Sequence, residues 1–290
     1  YAPELFTYIK MHVDKNQNPG DFWLTGSQVF KLMRGVQESL AGRVAVLSMT
    51  TLSQAEISNR EMTPFVVDLE ALSKRERITA DTHGIFDRIF KGSMPAIISG
   101  ANTNSHIFYS SYLSTYIERD VKELAESIDS LKFLRFMTAV AARCGQMLNV
   151  AEVARDADIN QQQAKAWLNV LETLGIIFYL HPYSNNLLKR LVKTPKLYFC
   201  DTGLAAWLMG IRSQEQLSIH PLRGNLFENM VVNDFHKYFY NRGERPDLYF
   251  YRDQGGHEVD LLQVTPEGLL NAFEIKSGKT YRTDYLDGLH

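Results

Sequence analysis

The sequence predicts a mixed chain, α/β at both ends and α in the middle, on three observations. Residues 21–27 and 43–48 are short apolar runs flanking an amphipathic stretch, 28–40, which is the strand–helix–strand grammar of a parallel sheet. Residues 57–130 carry apolar side chains at helical spacing. From residue 131 a helix–turn–helix pattern gives way to two apolar strands, and the chain closes on short runs in which charges alternate with apolar residues.

Composition narrows the function classes. The 290 residues are 45% hydrophobic and 22% charged, an ordinary composition that suggests neither a disordered nor a fibrous chain. The length suits two or three domains. A formal net charge of −2 rules out a whole-molecule polycation, so any nucleic-acid contact must come from a local basic patch. Cys144 and Cys200 have neither CxxC spacing nor a nearby His/Cys cluster, which argues against zinc or a disulfide scaffold and fits a reducing cytoplasm. No apolar run approaches the roughly 20 residues of a membrane helix. The chain opens at Tyr1 without a methionine and stops at His290, and both ends are expected to be cut from something longer.

In chain order, Leu5, Phe6, Ile9 and Val13 give an amphipathic helix with Pro3 near its first turn. The strand–helix–strand segment follows, and two strands alone do not make a domain. Ile85, Phe86, Ile89 and Phe90 mark a helix that breaks at 92–95, and residues 112–124 read as another. Residues 134–144 and 150–157 are then helices, 158–160 a turn, and 161–174 a third helix with Asn160 as N-cap. Ala164, Trp167, Leu168, Leu171 and Leu174 form its buried face, leaving Gln161, Gln162 and Lys165 on another. Strands at 176–180 and 196–200 flank a loop bearing Lys189, Arg190 and Lys193. A winged helix of this kind can enter a major groove while its basic wing grips phosphates, and it can equally be a protein-docking module. Asp201 is expected to cap the next helix, and residues 214–222 to form a loose connector. The segment Gly278-Lys279-Thr280 lacks the upstream glycine of a phosphate-binding loop, because Phe273 stands there.

The chemistry concentrates near the end. Residues 256–262 and 271–277 read as strands joined by a turn at 265–268, so Asp260 can face Glu274, with Lys276 on the same side as Glu274. Two carboxylates on one sheet face can hold Mg²⁺ or Mn²⁺, and a neighbouring lysine can orient or deprotonate an attacking water. Glu228, on a predicted helix, is a third candidate oxygen ligand. Glu258 shares Asp260's face and His257 does not. The same charges also fit salt-bridged positions on a solvent-facing sheet.

This acid, then acid-x-lysine pattern resembles the PD-(D/E)xK nuclease superfamily, with Val259 where the proline usually precedes the first acid. The resemblance implies Asp260, Glu274 and Lys276 as catalytic residues and Glu228, Asp260 and Glu274 as metal ligands. A second resemblance spans nearly the whole chain in collinear order. Leu24-Thr25-Gly26-Ser27, Ser39 to Arg43, Leu52 to Glu56, the Tyr-x-x-x-Tyr-Ile-x-Arg-Asp run ending at Arg119 and Asp120, and Pro195 to Leu204 look like the later part of predicted bacterial and archaeal AAA+ ATPases with a C-terminal nuclease-like domain. It implies the end of a parallel AAA+ α/β core (1–56), a helical lid (57–130), a winged helix-turn-helix (131–204) and a nuclease-like α/β domain (205–290). By that resemblance Thr25 and Ser27 take the place of the residue that senses the γ-phosphate, and Arg43 is a phosphate-facing cation. From the residues alone, Thr25 and Ser27 equally read as a strand-end turn that caps the next helix. The resemblance further implies that the parent protein binds and hydrolyses ATP and that this segment alone does neither. The partners compatible with it are DNA, a protein or a second copy of the chain. The expected function is either ATP-driven, metal-dependent DNA handling or a non-catalytic regulatory module that binds DNA or a protein.

Overall fold

Why a six-stranded sheet forms here is best seen from its middle strands, which are apolar on both faces. The computed structural model describes residues 4–16, 18–26, 29–75, 81–101, 104–117, 121, 129–184, 194–253, 255–278, 280, 282 and 285. They form two compact units, 1–48 and 49–290.

The first unit holds α1 (Leu5–Asn16) and α2 (Val29–Ser39), packed through Phe6, Val36 and Leu40 with Ile9 and Leu32. Gly35 lets them close: a Cβ there would lie 2.5 Å from the Phe6 ring. The strands expected at 21–27 and 43–48 are not formed among the described residues, and the parallel α/β core is therefore not seen in this unit. A strand exists only with a ladder partner, and among the described residues neither segment has one. Trp23 and Leu47 accordingly lie 89% and 69% exposed.

The second unit opens with short helices, α3 (Gln54–Ile57), α4 (Leu69–Lys74), α5 (Thr82–Lys91), α6 (Pro95–Ile98) and α7 (Ser105–Tyr112). Phe86 and Ile89 bury one face of α5, and Pro95 opens α6, as the break at 92–95 predicts. Residues 58–68 are not helical, contrary to the largely helical reading of 57–130. Thr63, Pro64, Val66 and Val67 account for this, since proline and β-branched residues disfavour a helix interior. Of the helix predicted at 112–124, Tyr112 ends α7, Leu113–Ile117 form a π turn and Val121 is helical, while 118–120 and 122–124 lie outside the described residues. Arg119 and Asp120 lie outside the described residues.

The three helices α8 (Ser130–Ala141), α9 (Val150–Asp156) and α10 (Gln161–Thr173) form as the pattern predicts. Asn160 caps α10 through its side-chain oxygen, which accepts the Gln163 N–H at 2.7 Å. Asp158 turns the chain with φ +55°, a conformation Asp tolerates better than most residues. Trp167 meets the Phe133 and Phe136 rings edge-on at 5.2 and 5.1 Å, which fixes α10 on α8.

The sheet runs β1 (Gln146–Met147), β3 (Lys196–Phe199), β2 (Ile177–Pro182), β4 (Leu248–Arg252), β5 (Glu258–Val264), β6 (Leu270–Phe273). All pairs are antiparallel except β2–β4, where His181 and Pro182 pair with Tyr249 and Phe250 in parallel. That pair joins the two strands after α10 to the terminal hairpin in one sheet. Asp201 caps α11 (Thr202–Leu208), and α12 (Gln214–Ile219) occupies the stretch expected to be a loose connector. Ser213 starts α12 by accepting the Gln216 N–H, a cap the sequence reading passed over.

The last helix, α13 (Arg223–Tyr240), lies on the sheet. Leu226, Asn229, Asn233 and Lys237 recur at i+3 and i+4 and form its buried stripe. Val232 packs among Phe178, Leu180, Tyr198, Leu248, Phe250 and Leu261 from four strands. Each leucine or phenylalanine buried this way stabilises the fold by about 1.5–3 kcal/mol.

Candidate functional site

The site is built where α13 crosses the strands. Glu228 stands on the helix, Lys196 and Tyr198 on β3, Glu258 and Asp260 on β5, and Glu274 and Lys276 just beyond β6. Strict alternation would put Asp260 and Leu261 on opposite faces. The register shift between β4 and β5 changes this: Tyr249 faces Leu262 and Tyr251 faces Val259, so Asp260 and Leu261 both lie opposite Phe250. This is a β-bulge, which re-aims one side chain. Leu261 joins the core under α13, and Asp260 reaches the charged cluster beside it.

Lys196 occupies the middle of that cluster. It is 4% exposed, with its ammonium 3.0 Å from Glu228, 2.6 Å from Glu258 and 3.8 Å from Asp260. Tyr198 donates its hydroxyl to Glu228 at 2.6 Å. The second lysine, Lys276, lies 3.5 Å from the other oxygen of Asp260 and pairs directly with Glu274. Asp260 thus links two lysines, and it also accepts the Ile275 N–H at 2.8 Å. That last bond replaces the backbone ladder, which explains why β6 ends at Phe273 instead of reaching 277 as expected. Extending the Leu261–Phe273 register by one step sets Asp260 opposite Glu274.

Burial raises the Glu228 carboxyl above the ordinary range and the negative Asp260 adds to this, against the opposing pull of Lys196 and Tyr198. For Lys196, burial works to lower the ammonium, but Glu228 and Glu258 override it and hold it above its usual value. Burial likewise opposes the charge on Lys276, and Glu274 and Asp260 prevail. Both lysines are therefore cationic at neutral pH, and Lys276 is suited to orient a water or a phosphate oxygen rather than to deprotonate one.

The carboxylates outnumber the cations around them, even counting Arg252, which pairs with Glu258 at 3.3 Å from the exposed side. The Glu274 Oε2 atom is buried and finds no hydrogen-bond partner among the described residues. A buried unpaired carboxylate oxygen beside Asp260 fits a small oxygen-seeking cation such as Mg²⁺ or Mn²⁺. Asp260 and Glu274 supply the pair for it. Glu228 stands apart, tied to Lys196 and Tyr198. Among the described residues no three carboxylate, histidine or cysteine groups converge as a ready-made ligand set.

Lys196, Tyr198 and the bulge are the parts that sequence reasoning missed. Alternation along β3 puts Lys196 and Tyr198 on one face, and a lysine inside an otherwise apolar strand was the available signal. His257 pairs with Asp253 at 2.9 Å, outside the cluster.

The other expected site residues are not gathered here. Thr25 is exposed on a segment without regular secondary structure. Arg43 pairs with Asp14 and donates to the Ala41 carbonyl at 3.1 Å. Gln161, Gln162 and Lys165 are exposed along α10. Ser27, Lys189, Arg190 and Lys193 lie outside the described residues.

Residues 1–58 match the model of an AAA domain. The match is to an ATPase-like module. Two further models match, both domains of unknown function: DUF8612 over 82–215 and DUF4143 over 223–290. The second begins at the first residue of α13 and carries all of the cluster except Lys196 and Tyr198. Over 278 residues the chain is 29% identical to an uncharacterized protein of Mycobacterium tuberculosis and, to the same degree, to one of Mycobacterium bovis. The alignment covers 96% of this chain and 57% of each relative, so the chain spans little more than half the length of the curated relatives it matches. No solved structure matches the chain. Among the described residues no helix is long and apolar enough to cross a membrane.

Proposed function

We propose that the chain belongs to an ATPase-linked DNA-handling protein whose terminal sheet carries a divalent-cation-dependent, nuclease-type site. The observation that carries this reading is the convergence of Asp260, Glu274 and Lys276 at the end of one hairpin, with a buried carboxylate oxygen of Glu274 left unpaired. Asp260 and Glu274 would hold the cation, Mg²⁺ or Mn²⁺, with Glu228 assisting only on release from Lys196. When bound, such an ion supplies Lewis-acid stabilisation of charge on a phosphoryl oxygen. The chain's own part is to aim these groups: the bulge turns Asp260, the Ile275 N–H fixes its rotamer, and the Lys276 ammonium orients water or a phosphate oxygen. ATP binding belongs to the longer protein in this reading. The helices α8 to α10 with β2 and β3 serve as a winged helix, presenting Gln161, Gln162 and Lys165 to DNA with Lys189, Arg190 and Lys193 on the wing.

A second reading is favoured by the pairing of all four carboxylates with lysines: the sheet is a regulatory module that binds DNA or a protein and cuts nothing. An assay of DNA cleavage with Mn²⁺ separates the two. Cutting that is lost in Asp260→Ala and Lys276→Ala supports the nuclease reading. Binding without cutting that survives both substitutions removes it in favour of the module.

A further inference from the structure

We infer that Lys196 is a tethered counter-ion that occupies the acidic site and sets how tightly the chain takes a divalent cation. This rests on the cation-site reading above and assigns a role to a residue outside the acid-x-lysine pattern.

Lys196 does not behave like an ordinary surface lysine. It extends from a strand buried along its whole length, its ammonium lies over the Phe250 ring at 5.5 Å from the ring centre, and its charge is paired with carboxylates on two other elements. Carboxylate oxygens are the ligands a divalent ion takes, and an ion drawn to the Asp260 oxygen that faces Lys196 would stand close to the ammonium. Two cations cannot share so small a volume without strong repulsion. Lys276 differs in kind: 38% exposed, it sits at the rim beside Glu274, whose second oxygen stays unpaired. The arrangement therefore has an inner place filled by the protein's own cation and an outer pair, Asp260 and Glu274, with unmet capacity. Asp260 belongs to both, so the hold of Lys196 on it reduces what it gives to an incoming ion.

The test is calorimetric titration of the 290-residue chain with Mn²⁺, with no activity involved. The unaltered chain is compared with Lys196→Met, Lys196→Arg and Lys196→Met/Glu258→Gln. The last removes the ammonium together with its nearest carboxylate and guards against misfolding of the single variant. Expected are a gain in Mn²⁺ affinity of about tenfold or more in both methionine variants, near-unaltered affinity in Lys196→Arg, and loss of the gain when Asp260→Asn is added. Binding seen only in the methionine variants also supports the inference, because the resting site is then filled by Lys196. Equal or weaker affinity in those variants, with Mn²⁺ still bound by the unaltered chain, overturns the role of Lys196 and leaves the cation site standing. No binding in any form overturns both.

Discussion

Asp260 lies opposite Phe250 because β5 places two residues where β4 places one. The neighbour, Leu261, goes to the core, and the carboxylate goes to the lysines. A single extra residue in the ladder thus decides whether the strand carries a site.

Asp260→Asn and Asp260→Ala separate the charge from the backbone bond. The amide oxygen of asparagine still accepts from Ile275, so Asp260→Asn is expected to lose Mn²⁺ binding with little change in melting temperature. Alanine leaves the Ile275 N–H without its acceptor, and chemical denaturation should show a further loss of about 1–3 kcal/mol. Equal stability of the two variants would show that the Ile275 bond contributes nothing.

His236 stacks on Phe178 at a centroid distance of 4.1 Å and meets Tyr240 tilted at 4.5 Å, and its buried Nδ1 has no partner among the described residues. Burial, aided by the Lys237 charge, lowers its pKa to about 4. The unfolded chain binds a proton near the ordinary 6.5 and the folded chain does not, so this contribution is complete above that pH and is lost as pH falls toward 4. The loss is roughly 3 kcal/mol. Urea titrations across that window should show the slope, and His236→Phe should flatten it.

Asn229 acts as a one-residue strand. Its amide oxygen accepts the Phe199 N–H and its amide nitrogen donates to the Phe199 carbonyl, both at 2.8 Å, in a fully buried position. Asn229→Leu leaves both backbone groups unmet and should cost roughly 2–5 kcal/mol by denaturation. A cost under about 1 kcal/mol would show that Phe199 finds other partners.

If α10 faces DNA, Lys165→Ala should weaken binding evenly across sequences and reduce the dependence of log affinity on log salt by about one unit. Fluorescence anisotropy at several salt concentrations measures this. An unchanged slope would remove Lys165 from the interface.

Local periodicity made α8, α9 and α10 legible, each by its one buried face, and short runs of apolar residues did the same for β2, β3 and the terminal hairpin. Asn160 and Asp201 were readable as caps for the same local reason. The absent strands at 21–27 and 43–48 were misread because an apolar run encodes a willingness to pair, and the partner must come from elsewhere. The acid-x-lysine end of the site was legible from spacing. Lys196 was not, since it enters from a strand far away in sequence and meets Asp260 only through the bulge, a register event that alternation cannot express.

The parallel pairing of β2 with β4 has one more consequence. While the chain is being made, β2 must wait with an open edge until α11, α12, α13 and then β4 have emerged, and an unpaired edge is a template for the wrong neighbour. Dividing the chain between 204 and 205 would make that temporary exposure permanent on both fragments. The half that holds the acids would also lose Lys196, so its carboxylates would repel one another with no inner cation to gather them. A shortened protein studied for its chemistry would then report on a site that the intact chain never presents.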